Sequence, residues 1–332
     1  MKRSLQLFLA FAVLFFASSL CGQDIPEIQF DSAPNLLKLP TGLYLGEAVG
    51  VAQNSKGHIF VFTRSGETRL FEFDQEGAFV REIGEHLYAF AFAHTVRVDA
   101  QDNIWTVDEG TNMIVKFNPE GQVVMVMGRR PEAVEGMQVW RGDNAGIPPP
   151  PGPPSQYGFY RPTDVAWDAS GDIFVSDGYG NSRVVKYDKN GRFLKSVGTT
   201  LKGSAPGQFN DAHTIATDAK GNVYVGDREN HRIQVFDNDL VLRAVWTNAG
   251  DPWGICITPG TKQYLYTSDS NVGPIYKMDL DGHIVGKFGT ASKELKQFGW
   301  IHEMNCTSEN ELLVAEILNW RVQRLNLHPT AK

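Results

Sequence analysis

The stretch VAWDASGDIFVSD, residues 165–177, decides the fold, because it pairs two apolar runs around a polar turn and recurs along the chain. Each copy has an apolar pair, a polar turn with Gly or Asn, several β-forming residues and usually a final acid. A repeat of roughly 45 residues is typical of propellers and solenoids. Counting the weaker copies there are six, at residues 51–63, 96–108, 165–177, 215–227, 255–269 and 304–316.

Most copies continue with Asn, often Arg, and an alternating strand, as in NSRVVKY at 181–187 and NHRIQVF at 230–236. A tight Gly-containing turn and a further strand follow. Alternation with period two, bounded by Gly, Asn and Asp, predicts short antiparallel strands. Four such strands in each repeat, with no long helical pattern, predict an all-β fold. We therefore expect a six-bladed β-propeller with four antiparallel strands per blade.

The remaining segments define the expected domain organisation. A basic start, an apolar run and small residues predict a secretory signal peptide over residues 1–22 and a secreted or periplasmic protein. Cys21 raises the question of a lipoprotein, which the preceding Leu20 disfavours. Residues 23–46 form an extension that could complete the last blade, and residues 47–328 form the propeller. A Pro-rich insertion, residues 129–160, separates the second and third copies.

Composition excludes several partners. The 332 residues are 42% hydrophobic and carry a net charge of −7 without a basic stripe, which argues against binding nucleic acid or anionic membranes. No later segment is apolar and long enough to be a transmembrane helix. Only Cys256 and Cys306 follow the leader. Our strand register places them on opposite faces of neighbouring innermost strands, so we expect two separate, small, buried side chains.

Histidine recurs at one position of the repeat, just before the innermost strand. In copy order this position holds Val49, His94, Thr163, His213, Trp253 and His302. Alternate blades of a six-fold ring are ~120° apart, so the three imidazoles should converge in the channel. Three His with an open fourth position is a catalytic zinc arrangement. A single His at a strand start is more often a hydrogen-bonded structural residue, but the alternation favours a metal site.

Polar residues just beyond the second strands should surround the same site, because the start of the first strand and the end of the second share one face of the disc. These residues are Arg64, Tyr179 and Arg228. A phenol beside a metal can act as a base or a ligand, and an Arg fork suits a carboxylate. Each alone is an ordinary surface residue, whereas together around three His they indicate a site.

The acid-x-x-Asn-x-Arg strand openings resemble NHL repeats. From Glu47 to Leu325 the chain most resembles the peptidyl-α-hydroxyglycine α-amidating lyases, above all in residues 162–183, GQF at 207–209 and DREN at 227–230. The resemblance implies zinc on His94, His213 and His302, a tyrosine acting on the substrate hydroxyl at Tyr179, and substrate-site arginines at Arg64 and Arg228. It also implies a lyase that splits a carbinolamide into an amide and glyoxylate.

A structural calcium is implied as well, on the carbonyls of Val51 and Val96 and the carboxylate of Glu303. The chain departs from the family here, since Glu303 replaces an Asp. Trp300 stands where the family has a methionine lining the substrate site, and Gly180 replaces a disulfide cysteine, so we expect neither family disulfide. We expect no companion monooxygenase domain in this chain and a small-molecule or peptide substrate.

Two other functions remain open from the sequence. One is a three-histidine metal hydrolase acting on another small substrate. The other is a non-catalytic NHL propeller that binds protein or glycan ligands, in which the histidines are structural.

Overall fold

The computed structural model describes residues 25–130 and 155–328. The predicted signal peptide and most of the Pro-rich insertion lie outside these residues. The regular secondary structure of the described residues is almost entirely β-strand, with a 3₁₀ turn at Arg228–Asn230. In chain order the strands are β1 (Gln29–Ala33), β2 (Glu47–Gln53), β3 (Ile59–Ser65), β4 (Glu67–Phe73), β5 (Phe79–Ile83), β6 (Ala93–Val98), β7 (Ile104–Asp108), β8 (Met113–Phe117), β9 (Val123–Gly128), β10 (Asp164–Trp167), β11 (Ile173–Asp177), β12 (Ser182–Tyr187), β13 (Phe193–Thr199), β14 (Ala212–Thr217), β15 (Val223–Asp227), β16 (Arg232–Phe236), β17 (Leu242–Trp246), β18 (Pro252–Ile257), β19 (Leu265–Asp269), β20 (Ile275–Met278), β21 (Ile284–Phe288), β22 (Ile301–Cys306), β23 (Glu311–Glu316) and β24 (Arg321–His328).

These strands form six four-stranded antiparallel sheets, which confirms the predicted six-bladed propeller. Blades 1 to 5 are the consecutive sets β2–β5, β6–β9, β10–β13, β14–β17 and β18–β21. Blade 6 has the order β1-β24-β23-β22, so the N-terminal strand is the outer strand of the last blade. The innermost strands β2, β6, β10, β14, β18 and β22 contact one another in a closed ring around the channel.

Apolar side chains fill the space between blades. Strand β1 contributes Phe30, whose ring lies 5.1 Å from that of Phe288 and 6.1 Å from that of Phe298. Blade 6 is thereby sealed against blade 5 by residues from both ends of the described chain. Among the described residues no helix has the length and apolar character needed to cross a membrane.

The recurring acid, Asn and Arg of the repeat have a direct structural role. In blade 4 the Asp227 carboxylate accepts hydrogen bonds from the side chains of Asn230 at 2.8 Å and Arg232 at 2.7 Å. Asp177 and Glu316 make the equivalent bonds in blades 3 and 6. Because the acids are buried, each needs these donors, and the motif fixes the loop between the second and third strands.

A β-bulge lies at the start of most innermost strands. In blade 2 Ala93 pairs with Asp108 and Thr95 with Val107, so His94 has no cross-strand partner. The register skips His213 in blade 4 and His302 in blade 6 in the same way. A bulge leaves one residue unpaired and redirects its side chain. The repeated bulge is the local reason that these histidines point toward one another instead of into the interblade core.

The expectation of two separate cysteines is wrong. Cys256 of β18 and Cys306 of β22 form a disulfide, with their Cα atoms 5.6 Å apart. The prediction assumes that side chains on opposite strand faces point away from each other. In a propeller, however, one face of each blade packs on the opposite face of its neighbour, so residues of opposite phase on adjacent innermost strands meet.

Candidate metal centre

The three predicted histidines lie together in the channel. The ring centroids of His94 and His213 are 4.8 Å apart, those of His94 and His302 4.6 Å, and those of His213 and His302 5.0 Å. All three side chains are buried, and their candidate ligand atoms lie within 4.8 Å of one another. Atoms on a tetrahedral zinc ion are roughly 3.3 Å apart, so small ring rotations would complete such a site.

Backbone carbonyls fix the orientation of two of the rings. His213 Nδ1 donates to the carbonyl of Trp253 at 2.6 Å, and His302 Nδ1 donates to the carbonyl of Val49 at 2.7 Å. In this tautomer Nε2 carries the lone pair, and the buried Nε2 of His213 has no hydrogen-bond partner in the described chain. A lone pair held this way is the usual arrangement of a metal-ligating histidine. The donor set fits a divalent transition metal.

Burial also keeps the three rings neutral. Burial lowers the pKa of His94 and of His213 well below 6.5, and nearby positive groups add to the effect. For His302, burial and the Arg64 guanidinium lower the pKa to about 3. Neutral imidazole is the form that binds a metal, so no proton competes with a metal at neutral pH.

Tyr179 joins this cluster through its hydroxyl group. The oxygen accepts a hydrogen bond from Arg228 Nη1 at 3.2 Å and lies 3.2 Å from His94 Nε2. Burial raises the pKa of Tyr179, whereas the Arg228 guanidinium opposes that shift. The phenol therefore lies where it can exchange a proton with a group bound beside the histidines, with a cation placed to stabilise the phenolate.

Arg64 approaches from blade 1 and stacks 4.0 Å from the centre of the Phe92 ring. It donates to Glu47 at 3.1 Å and to the carbonyl of Ala93 at 3.3 Å. Glu109 lies 3.7 Å from Arg64 Nη1 and 3.3 Å from Arg161 Nη2. Burial raises the pKa of Glu109, and the two guanidinium groups oppose that shift.

Two tryptophans border the cluster near Arg228 and His213. The Arg228 guanidinium lies 4.4 Å from the centre of the Trp253 ring, and Trp253 packs on Trp300 with 5.2 Å between ring centres. Trp300 is 40% exposed and has a left-handed backbone with φ of 54°, a conformation that a large side chain rarely adopts. The pair makes an apolar surface next to His213, whose ring centre is 5.2 Å from that of Trp253.

The proposed calcium ligands lie on neighbouring innermost strands, and an arginine pairs with the one carboxylate among them. Val51 and Val96 are buried on β2 and β6, and Glu303 Oε2 lies 3.3 Å from the Val96 nitrogen. The other oxygen of Glu303 lies 2.8 Å from Arg97 Nε. A fixed guanidinium thus lies against one oxygen of the carboxylate that calcium would require, and it weakens the attraction of that carboxylate for a second cation.

Several residues of this region were missed from the sequence. Glu109 directly follows the acid that ends β7, as Arg228 follows Asp227 after β15, so the register that identified Arg228 also contained Glu109. Arg97 could have been noticed as a charged residue within a predicted innermost strand. Its partner Asp164 is also a charged residue of an innermost strand, but the sequence around each residue does not show that the two side chains meet.

Comparisons with known proteins agree with the fold. Residues 159–187 and 209–236 match the NHL repeat family. A probable peptidyl-α-hydroxyglycine α-amidating lyase of Caenorhabditis elegans is 29% identical over 65% of this chain and 62% of its own length. The peptidyl-glycine α-amidating monooxygenase of Mus musculus is 31% identical over 60% of this chain, which spans only 21% of that protein. The solved virginiamycin B lyase of Staphylococcus aureus has a TM-score of 0.58 at 10% identity, covering 90% of this chain and all of that one.

The fold and the site together define a six-bladed β-propeller that contains two matches to the NHL repeat and a histidine cluster in its channel. Within this class the chain is similar, over about two thirds of its length, to proteins named peptidyl-α-hydroxyglycine α-amidating lyase.

Proposed function

We propose that the protein is a metal-dependent carbon–nitrogen lyase that cleaves a peptidyl-α-hydroxyglycine into a peptide amide and glyoxylate. The observation that carries the proposal is the position of the Tyr179 hydroxyl, 3.2 Å from both His94 Nε2 and Arg228 Nη1. A phenol beside three convergent imidazoles and a guanidinium suits proton transfer at a substrate hydroxyl. Homology to an amidating lyase supports the same reaction.

His94, His213 and His302 would hold the metal, for which we propose zinc. When bound, such an ion supplies a Lewis acid that lowers the pKa of a nearby hydroxyl group. The chain itself excludes water around these ligands, since all three are buried.

The proton balance follows from Tyr179. Burial favours the phenol form of Tyr179, so Arg228 and a cation held by the histidines would have to favour the phenolate before substrate reacts. The phenolate then accepts the proton of the substrate hydroxyl, the C–N bond breaks as the C=O bond of glyoxylate forms, and the phenol returns the proton to the departing amide nitrogen. No oxidant and no water are consumed. Arg228 stabilises the phenolate through its 3.2 Å hydrogen bond.

We propose that Arg64 holds the substrate carboxylate. Its guanidinium lies near enough to the histidine cluster for its positive charge to lower the pKa of His302. Trp253 and Trp300 form an apolar surface next to His213, which suits the side chain that precedes the hydroxyglycine. The proposed substrate is therefore a small or peptide carbinolamide with a free terminal carboxylate and an apolar preceding residue.

The test uses α-hydroxyhippurate, a small carbinolamide, with glyoxylate as the measured product. Purified protein loaded with zinc should release glyoxylate, and removal of the metal should abolish the release. His213→Ala should lose the metal, whereas His231→Ala, which changes an exposed histidine, should keep both metal and turnover. A metal-loaded protein that is silent on carbinolamides would reject the lyase in favour of a hydrolase. Failure to bind metal would reject both in favour of a ligand-binding propeller.

We also propose that the protein is exported. The disulfide Cys256–Cys306 supports this, since such bonds persist in oxidising compartments. Fractionation of producing cells, with cleavage of the leader read by mass spectrometry, tests it. A cytoplasmic protein that keeps its N-terminal residues would contradict it.

A further inference from the structure

Arg97 lies at the centre of a buried polar network that reaches across the channel. From β6 of blade 2 its guanidinium pairs with Asp164 of blade 3 through two bonds, 2.9 Å at Nε and 2.6 Å at Nη2. Its Nη1 donates to the carbonyl of Met304 in blade 6 at 3.2 Å, and Nη2 approaches the carbonyl of Ile255 in blade 5 at 3.3 Å. One side chain thus connects innermost strands of four blades.

The charges in this network depend on one another. Arg97 also lies 2.8 Å from Glu303, so one guanidinium serves two carboxylates. The side chains of Asp164 and Glu303 are each only 2% exposed, and that of Arg97 is 11% exposed. A buried carboxylate without a partner is strongly destabilising, so loss of Arg97 would leave two of them uncompensated.

The same network touches every strand that carries a metal-site histidine. Arg97 is three residues beyond His94 on β6. On β14, Thr214 directly follows His213, and its hydroxyl donates to Asp164 at 2.9 Å. On β22, Glu303 directly follows His302. The positions of all three histidines relative to one another are therefore linked through this cluster.

We infer that Arg97 is a built-in cation that holds the three histidine-bearing strands in register, and that it pairs with the carboxylate to which the resemblance assigned a calcium ion. The main-chain oxygens of Ile255 and Met304 and the two carboxylates receive from the guanidinium the positive charge that a metal would otherwise provide. The fold therefore does not require calcium. This inference is independent of the proposed reaction, because it concerns the stability of the ring and the affinity of the histidine cluster for a metal.

The first test uses the metal-free wild-type protein and follows thermal unfolding. Millimolar calcium and a calcium chelator should both leave the midpoint unchanged. A midpoint that rises with calcium, and falls again with the chelator, would overturn the inference.

The second test compares Arg97→Gln with Arg183→Gln by cobalt(II) titration of the metal-free proteins. Arg183 is also buried and pairs with Asp177 at 2.9 Å, but it lies on β12, away from the channel. Both variants should unfold at lower temperature, and Arg97→Gln alone should bind cobalt roughly 10- to 100-fold more weakly. Equal cobalt affinity in the two variants would overturn the positioning role.

If Arg97→Gln does not fold, Arg97→Lys replaces it in the titration. Lysine keeps the charge but cannot make the forked bonds to Asp164, so cobalt should bind measurably more weakly than to the wild type. Wild-type affinity in Arg97→Lys would show that any cation suffices and would overturn the claim that the guanidinium sets the register.

Discussion

The proposed role of Tyr179 depends on two neighbouring residues, Arg228 and His94. Burial raises the pKa of its hydroxyl, which disfavours the phenolate, while Arg228 at 3.2 Å favours it. The hydroxyl position next to His94 then determines which proton it can reach. A residue with this role should affect turnover without affecting metal binding.

Tyr179→Phe should therefore reduce kcat by roughly 10²- to 10⁴-fold, because a general base contributes about that much. Metal content, measured by elemental analysis, should equal that of the wild type. Tyr276→Phe, on β20 away from the cluster, is the control and should keep full activity. Turnover that survives in Tyr179→Phe would remove the phenol from the mechanism.

Glu109 should weaken the binding of a negatively charged substrate. It lies between Arg64 and Arg161, so it competes with a substrate carboxylate for the positive charge of Arg64. Neither its carboxylate nor its position was anticipated from the sequence.

Glu109→Gln should lower KM for α-hydroxyhippurate severalfold, since the negative charge that opposes the carboxylate is removed, and it should change kcat only through the pKa of Tyr179, which Glu109 helps to raise. Steady-state kinetics measure both constants. The matched control is the carboxamide analogue of the same substrate, whose KM should not fall. An unchanged KM for the carboxylate form would mean that Arg64 is not its partner.

At the scale of the strand, the innermost strands have two structural roles. Their bulges direct the histidines into the channel, and their later residues join neighbouring blades. The disulfide between β18 and β22 also joins neighbouring blades. It closes a loop of 50 residues between blades 5 and 6.

Removing that bond should lower the free energy of unfolding by up to about 4 kcal/mol, the chain-entropy value for a loop of this length. The double variant Cys256→Ala/Cys306→Ala and the wild type are compared by denaturant unfolding with and without reductant. Reductant should destabilise the wild type and leave the double variant unchanged. Equal stability of the oxidised wild type and the variant would contradict a stabilising disulfide.

At the scale of the whole molecule, the burial of three neutral imidazoles makes stability depend on pH. In the folded metal-free protein the pKa of His302 is about 3, and those of His94 and His213 are also lowered. In the unfolded chain a histidine titrates near ~6.5. Between these values the unfolded state binds more protons than the folded state, so stability rises with pH and is lost on acidification.

Metal-free wild type should therefore lose stability faster than metal-free His302→Gln as the pH falls from ~6.5 toward 4, by up to about 1.4 kcal/mol per pH unit for each proton. Denaturant unfolding across this range measures the slopes. His231→Gln is the contrast: a hydrogen bond with Asp251 raises the pKa of His231, so its contribution is lost above ~6.5 instead. Parallel slopes for wild type and His302→Gln would show that His302 is not held neutral.

Much of this molecule was predictable from local sequence. Strand alternation and turn residues report on neighbours in the chain, and six copies of that pattern were enough to predict the blades. The alternating histidines were found because equivalent positions of a repeat lie at equivalent places in each blade. His94, His213 and His302 could therefore be compared directly.

Only the tertiary structure decided the contacts between different copies of the repeat. Cys256 and Cys306 bond because opposite faces of adjacent blades meet, and Arg97 reaches Asp164 and Glu303 because three innermost strands converge on the channel. Such contacts depend on how blades are rotated around the axis, and no pattern within one blade records that rotation. The sequence alone therefore determined the blades and the histidine ring, and closure of the ring determined what surrounds and supports it.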